Sequence, residues 1–412
     1  MASNWADMNL RRQWPVLVIF IAVLVAYTWA TWHYFTAPIP GGNDFLTHYG
    51  AWEEYIRNHN SPYSEEAALH TQRLIYGRAA RPGEDQNRMV YTFYSIFLHG
   101  PFVFIGYALA RAIYMTLLQA ALMAGVVMTV WLVKWRQPIW LAGITLAWAL
   151  LYYPEGRGII LGQFAIFGFF SLAGSLYLLH RKQDLCAGML LVLSTIKPTL
   201  VFLVIPFLLI WALVRRRWRF LAGFSGLLAV LVAVSFIMLP SWLSEWVSRI
   251  TFYSDYTVGQ SPVWLLTRSV IPALGEVGEL VISLGLMAGM LWSWWLALRP
   301  GGAAAFYWAL GVTLVVSSLI VPRSATTNYV LMLIPTLWIF AALDYWKPLG
   351  RYVLLAVMLV SFTGLWWLHF ATVVGNQEQP VMFIPMPVIL GLVLLLGQRW
   401  LRRDAEERGI AL

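Results

Sequence analysis

Residues 14–35 read WPVLVIFIAVLVAYTWATWHYF, and six residues further on 42–49 read GNDFLTHY. The first stretch has 22 residues and no Asp, Glu, Lys or Arg. As a helix it is long enough to cross the roughly 30 Å hydrocarbon core of a bilayer. It lacks a small-residue cleavage site and is followed by many further apolar runs, so it reads as a retained first span rather than a signal peptide. The second stretch opens the longest polar segment of the chain. The whole chain is 60% hydrophobic and 11% charged, whereas a soluble domain carries about 25% charged residues. The fold class is therefore an all-α integral membrane protein, because a bilayer tolerates only helices or closed barrels.

Working outward, thirteen apolar segments can be drawn, at 14–35, 89–106, 112–133, 138–153, 159–179, 185–196, 198–214, 218–239, 276–298, 303–321, 325–343, 350–371 and 382–400. Basic clusters orient them. Arg11-Arg12, Lys134/Arg136, Arg181-Lys182, Arg215-Arg216-Arg217, Lys347/Arg351 and Arg402-Arg403 are expected on the cytoplasmic side. Both termini then lie inside and the number of spans is even. The segment 89–106, broken by His99, Gly100 and Pro101, is the one to drop, leaving twelve spans. A single polytopic domain results. It has a first span at 13–35, an extracytoplasmic loop at 36–88, the remaining spans within 89–400, and a cytoplasmic tail at 401–412.

The net charge of +9 belongs to those cytoplasmic clusters and does not indicate nucleic acid. One cysteine, Cys186, excludes an intramolecular disulfide and a cysteine-based zinc cluster. No histidine pair has metalloprotease spacing, so no cofactor is expected; the alternative is a divalent cation held by Asp44 and a substrate phosphate, which no motif supports. The 23 Trp and 19 Tyr suit interfacial belts.

The loop 36–88 has helical pattern. Phe45, Tyr49, Trp52 and Ile56 share one face, which predicts a helix lying in the membrane interface. Asn43 is the expected cap, and Pro62-Tyr63 the expected end. Ser64 caps a second helix, with Glu65-Glu66 in its first turn and Gly77 past its end. Asp44 sits on the first turn of the first helix, where the backbone N–H groups favour an ionised carboxylate. Such a group can take a proton from an attacking hydroxyl. His48, one turn on, is placed to orient Asp44 or share its proton. Lys197, in Ser194-Thr195-Ile196-Lys197-Pro198-Thr199, stands between two short apolar segments at membrane depth, and an ammonium there suits a lipid phosphate. Arg323, after Pro322, can pair a phosphate bidentately. Gln163 and Gln260 suit sugar hydroxyls, and Glu155 and Arg157 suit a mutual pair.

Taken together, Asp44-Phe45-x-x-x-Tyr49, Ser61-Pro62-Tyr63, Gly162-Gln163, Ala187-Gly188 leading to Lys197-Pro198, and Pro322 before a polar helix start resemble glycosyltransferase family 87. That family comprises polyprenyl-phosphate-mannose-dependent mannosyltransferases of the GT-C superfamily. The likeness runs over roughly residues 14–345. It implies a GT-C-like bundle of about 12 transmembrane helices with a helical first extracytoplasmic loop that holds the catalytic Asp. It implies an inverting transfer of a sugar, mannose by default, from a polyprenyl-phosphate donor to a glycolipid or glycan acceptor at the cell membrane. By that resemblance Asp44 would be the general base, Lys197 would lie near the donor phosphate, and Tyr63 would belong to the loop helices that frame the site. With the residue-level reading added, the expected set is Asp44 and His48 for catalysis, Lys197 and Arg323 for the donor phosphate, and Tyr49, Tyr63, Gln163, Gln260 and Asn328 for substrate. Where the family often has Tyr-Pro-Pro, this chain reads Tyr91-Thr92-Phe93-Tyr94. Where it often has a His or Asp after the late proline, this chain reads Thr326, Thr327 and Asn328. The alternative from composition is a transporter or flippase of lipid-linked saccharides. It expects charges near mid-membrane, whereas here the polar features collect on the outer face.

Overall fold

The computed structural model of the chain describes residues 10–39, 41–251, 253, 261–300, 302–322, 324–346, 348–375 and 378–410. Helices account for 81% of it, and no strand occurs among the described residues. The apolar run that opens the chain is α1 (Leu10–Thr31). The polar loop contains α2 (Asn43–Asn58) and α3 (Glu65–Tyr76). Short turns around α4 (Ile96–His99) lead into α5 (Tyr107–Leu132). Then follow α6 (Ile139–Leu151), α7 (Tyr153–Leu161), α8 (Ala165–His180), α9 (Asp184–Val192), α10 (Val204–Val214) and α11 (Trp218–Met238). The later apolar helices are Gly275–Leu298, Phe306–Ile320, Leu333–Tyr345, Leu349–Thr372 and Pro385–Leu396.

Among the described residues, six helical stretches are long and apolar enough to cross a membrane, or eight if each of two bent pairs is one span. One bent pair is α7 with α8, at 120°. The other four segments drawn from the sequence are the shorter helices Ile139–Leu151, Asp184–Ile196, Val204–Val214 and Phe306–Ile320. A helix of 13 residues covers about 20 Å, less than the roughly 30 Å apolar core. The segment 89–106 breaks into the turn Phe93–Ser95, α4 and the turn Gly100–Phe104. Pro101 lies in the last of these and cannot donate an intrahelical hydrogen bond.

Burial separates the centre from the rim. Thr326–Tyr345 is 83% buried, whereas Leu349–Thr372 is 11% buried and offers its apolar side chains outward. Helix α1 is all rim; it touches α5 through Tyr27 Oη to Gln119 Oε1 at 2.7 Å and Thr28 Oγ1 to Thr116 Oγ1 at 3.0 Å. Helices α9 and α11 meet backbone to backbone. A Cβ on Gly188 would lie 2.1 Å from the Phe220 carbonyl oxygen, and one on Gly223 2.2 Å from that of Leu185. Small residues at such crossings let apolar helices pack closely without a hydrophobic driving force.

The first loop folds inward. Ser64 caps α3 by accepting from the Ala67 amide at 3.2 Å, and Gly77 ends it in the left-handed region, both as the sequence indicates. Helix α2 departs from expectation in two ways. Its cap position is Gly42 rather than Asn43, and it ends at Asn58, before Pro62. Its apolar face is covered by protein: Phe45, Tyr49 and Trp52 are buried against the turns at 93–104 and α5. That contact fixes the N-terminus of α2 against the bundle.

The two ends of α5 differ. Near Tyr107 lies the α2 N-terminus, with Tyr107 Oη donating to the Gly41 carbonyl at 2.6 Å. Beyond its far end, about 39 Å away for 26 residues, Lys134 donates to the Gly409 carbonyl at 2.7 Å and Arg408 to that of Val133 at 2.8 Å. Arg351 pairs with Asp344 there, and Asp344 also accepts from Trp135. Basic clusters far apart in sequence thus share one end, opposite Asp44.

Candidate active site

Asp44 is placed by three anchors. Phe45 stacks on Tyr114 of α5 with ring centroids 4.3 Å apart. Arg111, also on α5, donates to the Ile39 carbonyl at 2.7 Å and to the Ile160 carbonyl at 2.9 Å, so it ties the linker before α2 to the end of α7. Gly162 then ends α7 at φ +75°, a left-handed conformation that favours glycine. A Cβ there would sit 2.5 Å from the Phe45 Cβ. This close approach delivers the next residue, Gln163, onto Asp44.

The Gln163 Nε2 donates to Asp44 Oδ2 at 2.9 Å. Its Oε1 accepts from Lys197 Nζ at 3.0 Å, and the same ammonium donates to Asn328 Oδ1 at 2.9 Å. Lys197 also lies over the Tyr91 ring, 5.6 Å from its centroid. It reaches this position because the helical run of α9 stops at Ile196 and Pro198 starts a new turn, leaving Lys197 at φ −119°, ψ 82°. Gln163 is buried, while Asp44, Lys197 and Asn328 each stay partly accessible. A narrow cavity of about 10 Å³, lined by Thr199, Leu200, Ser317, Ser324 and Asn328 among others, adjoins the Lys197 end.

Electrostatics follow from this placement. Burial raises the Asp44 pKa above the ordinary carboxylate value, and the Lys197 charge and the Gln163 hydrogen bond partly offset it. Burial pulls the Lys197 ammonium down to about 8, against the Asp44 charge. One hydrogen-bonded line thus joins a carboxyl group and an ammonium. Lys197 is held by two neutral amide oxygens, which leave its positive charge available to an anion.

The family model for glycosyltransferase family 87 matches residues 90–322, more than half of the chain. The chain belongs to glycosyltransferase family 87. This is a GT-C-type family, and with several membrane-crossing helices the protein is a multi-pass membrane glycosyltransferase. Comparisons with curated proteins and with solved structures return no match. The matched stretch of this family 87 enzyme contains Tyr91, Gln163 and Lys197. Asp44 precedes it and Asn328 follows it, and the fold brings both to the matched residues.

The other candidate residues take different places. His48 turns inward from Asp44: it stacks on His99 at 3.9 Å and meets Tyr91 edge-on at 4.1 Å. Neither of its ring nitrogens has a hydrogen-bond partner among the described residues, and burial holds its pKa well below the ordinary histidine value. It is a neutral packing residue beneath Tyr91 and forms no hydrogen bond to Asp44. Tyr49 Oη donates to the Ile105 carbonyl at 3.0 Å, and Tyr63 Oη to the Tyr91 carbonyl at 2.8 Å. Tyr49 thus braces α2, and Tyr63 supports the ring under Lys197. Gln260 and Arg323 lie outside the described residues. Among the described residues, no group of three His, Cys, Asp or Glu is placed to hold a metal ion.

A second polar cluster was not visible in the sequence. Glu378 pairs with Arg157 at 3.4 Å and accepts from Tyr153 at 2.5 Å and from Thr326. Tyr153 also meets His369 Nδ1 at 3.0 Å. Arg157 therefore does not pair with Glu155, as its spacing suggested. The Glu155 side chain points from the first turn of α7 into the protein, and neither oxygen has a hydrogen-bond partner among the described residues. The Glu378 cluster joins residues from 52 to 225 positions apart, which no local spacing reveals. Arg111 did leave a signal: it is a lone cation one turn inside an otherwise apolar helix, a placement that is costly unless it serves a purpose.

Proposed function

We propose that this family 87 enzyme transfers a sugar, mannose by default, from a polyprenyl-phosphate donor to a hydroxyl of a glycolipid or glycan acceptor on the extracytoplasmic face. Twelve spans, four of them short, and both termini in the cytoplasm go with this reading. The acceptor oxygen attacks the anomeric carbon from the side opposite the phosphate. The new C–O bond forms as the bond from carbon to phosphate oxygen breaks, and the configuration inverts. The acceptor's proton passes to Asp44, and polyprenyl phosphate leaves with the bonding electron pair. Lys197 attracts the phosphate and stabilises the charge that builds on it.

One observation carries the proposal: Asp44 and Lys197 occupy a single hydrogen-bonded line through Gln163, with both ends accessible. A base and an anion site set this closely suit a substrate that presents a hydroxyl to one and a phosphate to the other. The experiment is a donor panel. Membranes containing the protein are given labelled undecaprenyl-phosphate mannose, undecaprenyl-phosphate glucose or GDP-mannose, with lipid synthesis from the nucleotide sugar blocked. Label is expected to move to acceptor from a lipid-linked donor and not from GDP-mannose. Transfer from the nucleotide sugar alone would overturn the donor assignment.

A further inference from the structure

We infer that Gln163 is a positioning residue that keeps Asp44 in its ionised form, ties that ionisation to the charge on Lys197, and prevents the two from forming a direct ion pair. The inference rests on the general-base reading of Asp44. Its starting point is donor and acceptor arithmetic. An ammonium only donates, so the amide oxygen of Gln163 must face Lys197. The amide NH2 then faces Asp44 Oδ2, which must accept. A carboxylate accepts such a bond more strongly than a neutral carboxyl. With Oδ2 engaged, Oδ1 accepts no hydrogen bond among the described residues and is left for the acceptor's proton.

The spacer solves a conflict. A lysine bonded directly to Asp44 would stabilise the carboxylate and weaken it as a base. It would also spend the ammonium on Asp44 rather than on a phosphate. One amide between them transmits orientation without neutralising either charge. The backbone is built to hold that amide: Gly162 packs on Phe45 in a conformation that a side chain would strain, so Gln163 has little freedom to leave.

The surroundings hold few competing charges. Asp44 faces Lys197, Arg157 and Asp85, together with Tyr91, Tyr107 and Tyr114. Lys197 faces Asp44, His48 and Tyr91. The line that ends at Asp44 Oδ2 runs through Gln163 to Lys197.

The test uses Gln163→Leu and the near-isosteric Gln163→Glu in the full-length protein, with two readouts. The first is infrared titration of the Asp44 carboxyl band, assigned by its loss in Asp44→Asn, which needs no substrate. The second is the pH profile of sugar transfer with undecaprenyl-phosphate mannose as probe. In Gln163→Leu, the Asp44 titration should move up by about one pH unit, the worth of a lost hydrogen bond to a charged group. The rising limb of the transfer profile should move up in pH by the same amount, with transfer recovering in part above it. Gln163→Glu should move the titration further, since two carboxylates then share the site. An unchanged Asp44 titration in both variants would overturn the inference, as would a loss of transfer that is equal at every pH. The base reading is judged separately: full transfer by Asp44→Asn would sink it, while the infrared arm would still decide whether Gln163 controls Asp44.

Discussion

Asp44 and Lys197 handle their charges differently from the acids at the basic end. At the basic end, acids pair directly with arginines: Asp344 with Arg351 at 2.7 Å, Asp184 with Arg217 at 3.0 Å, and Asp404 with Arg408. Near the other end, where Arg157 pairs directly with Glu378, Asp44 and Lys197 have an amide between them. A direct bidentate pair satisfies both partners and leaves little for a ligand. A pair held apart keeps an acceptor and a cation ready. The first arrangement closes a structure, and the second keeps a reaction site open.

Substitutions can break this contrast. Asp44 itself aside, Lys197→Ala should have the largest effect, raising the concentration of lipid-linked donor needed for half-maximal rate by about 10- to 100-fold, as expected for a lost charged contact. Unchanged donor dependence would reduce Lys197 to an interfacial anchor. Next comes pH. Transfer requires ionised Asp44 and protonated Lys197, so the rate should climb as pH passes the raised Asp44 pKa and decline as it passes about 8, where Lys197 deprotonates. A profile that keeps rising well beyond that point would remove Lys197 from the reaction. Gly162→Ala should lower transfer by about fivefold and destabilise the protein by about 1–2 kcal/mol, because the new Cβ meets Phe45 and strains the backbone. Thermal unfolding in detergent and the transfer rate measure the two effects. The smallest effect on activity belongs to the closed end. Asp344→Asn should cost about 2 kcal/mol of stability and leave transfer within about twofold of the unchanged protein.

How much of this was legible depends on the range of the interaction. The apolar runs, the Ser64 cap and the Gly77 stop are local, and sequence spacing is enough to read them. Asp44, Lys197, Gln163 and Asn328 stood out as polar groups at the outer boundary, and the fold joins these four. What spacing could not supply is who touches whom. His48 follows Asp44 by one turn, yet the docking of α2 on α5 turns it toward His99. Arg157 stands two residues from Glu155, yet it pairs with Glu378 across the fold. The count of twelve spans includes helices as short as α6, α9 and α10, whose passage through a bilayer depends on neighbours rather than on their own length. What covers the apolar face of α2 is likewise set by distant contacts. An apolar face looks the same in sequence whether lipid or protein covers it.

The central claim is that Asp44 accepts the proton in sugar transfer. The most direct measurement compares transfer by Asp44→Asn with that by Asp344→Asn, both shown to be folded, using undecaprenyl-phosphate mannose and undecaprenyl-phosphate glucose as donors. Loss of a general base should slow Asp44→Asn by about 100- to 10,000-fold, with Asp344→Asn close to the unchanged protein. Equal rates for the two variants would contradict the account.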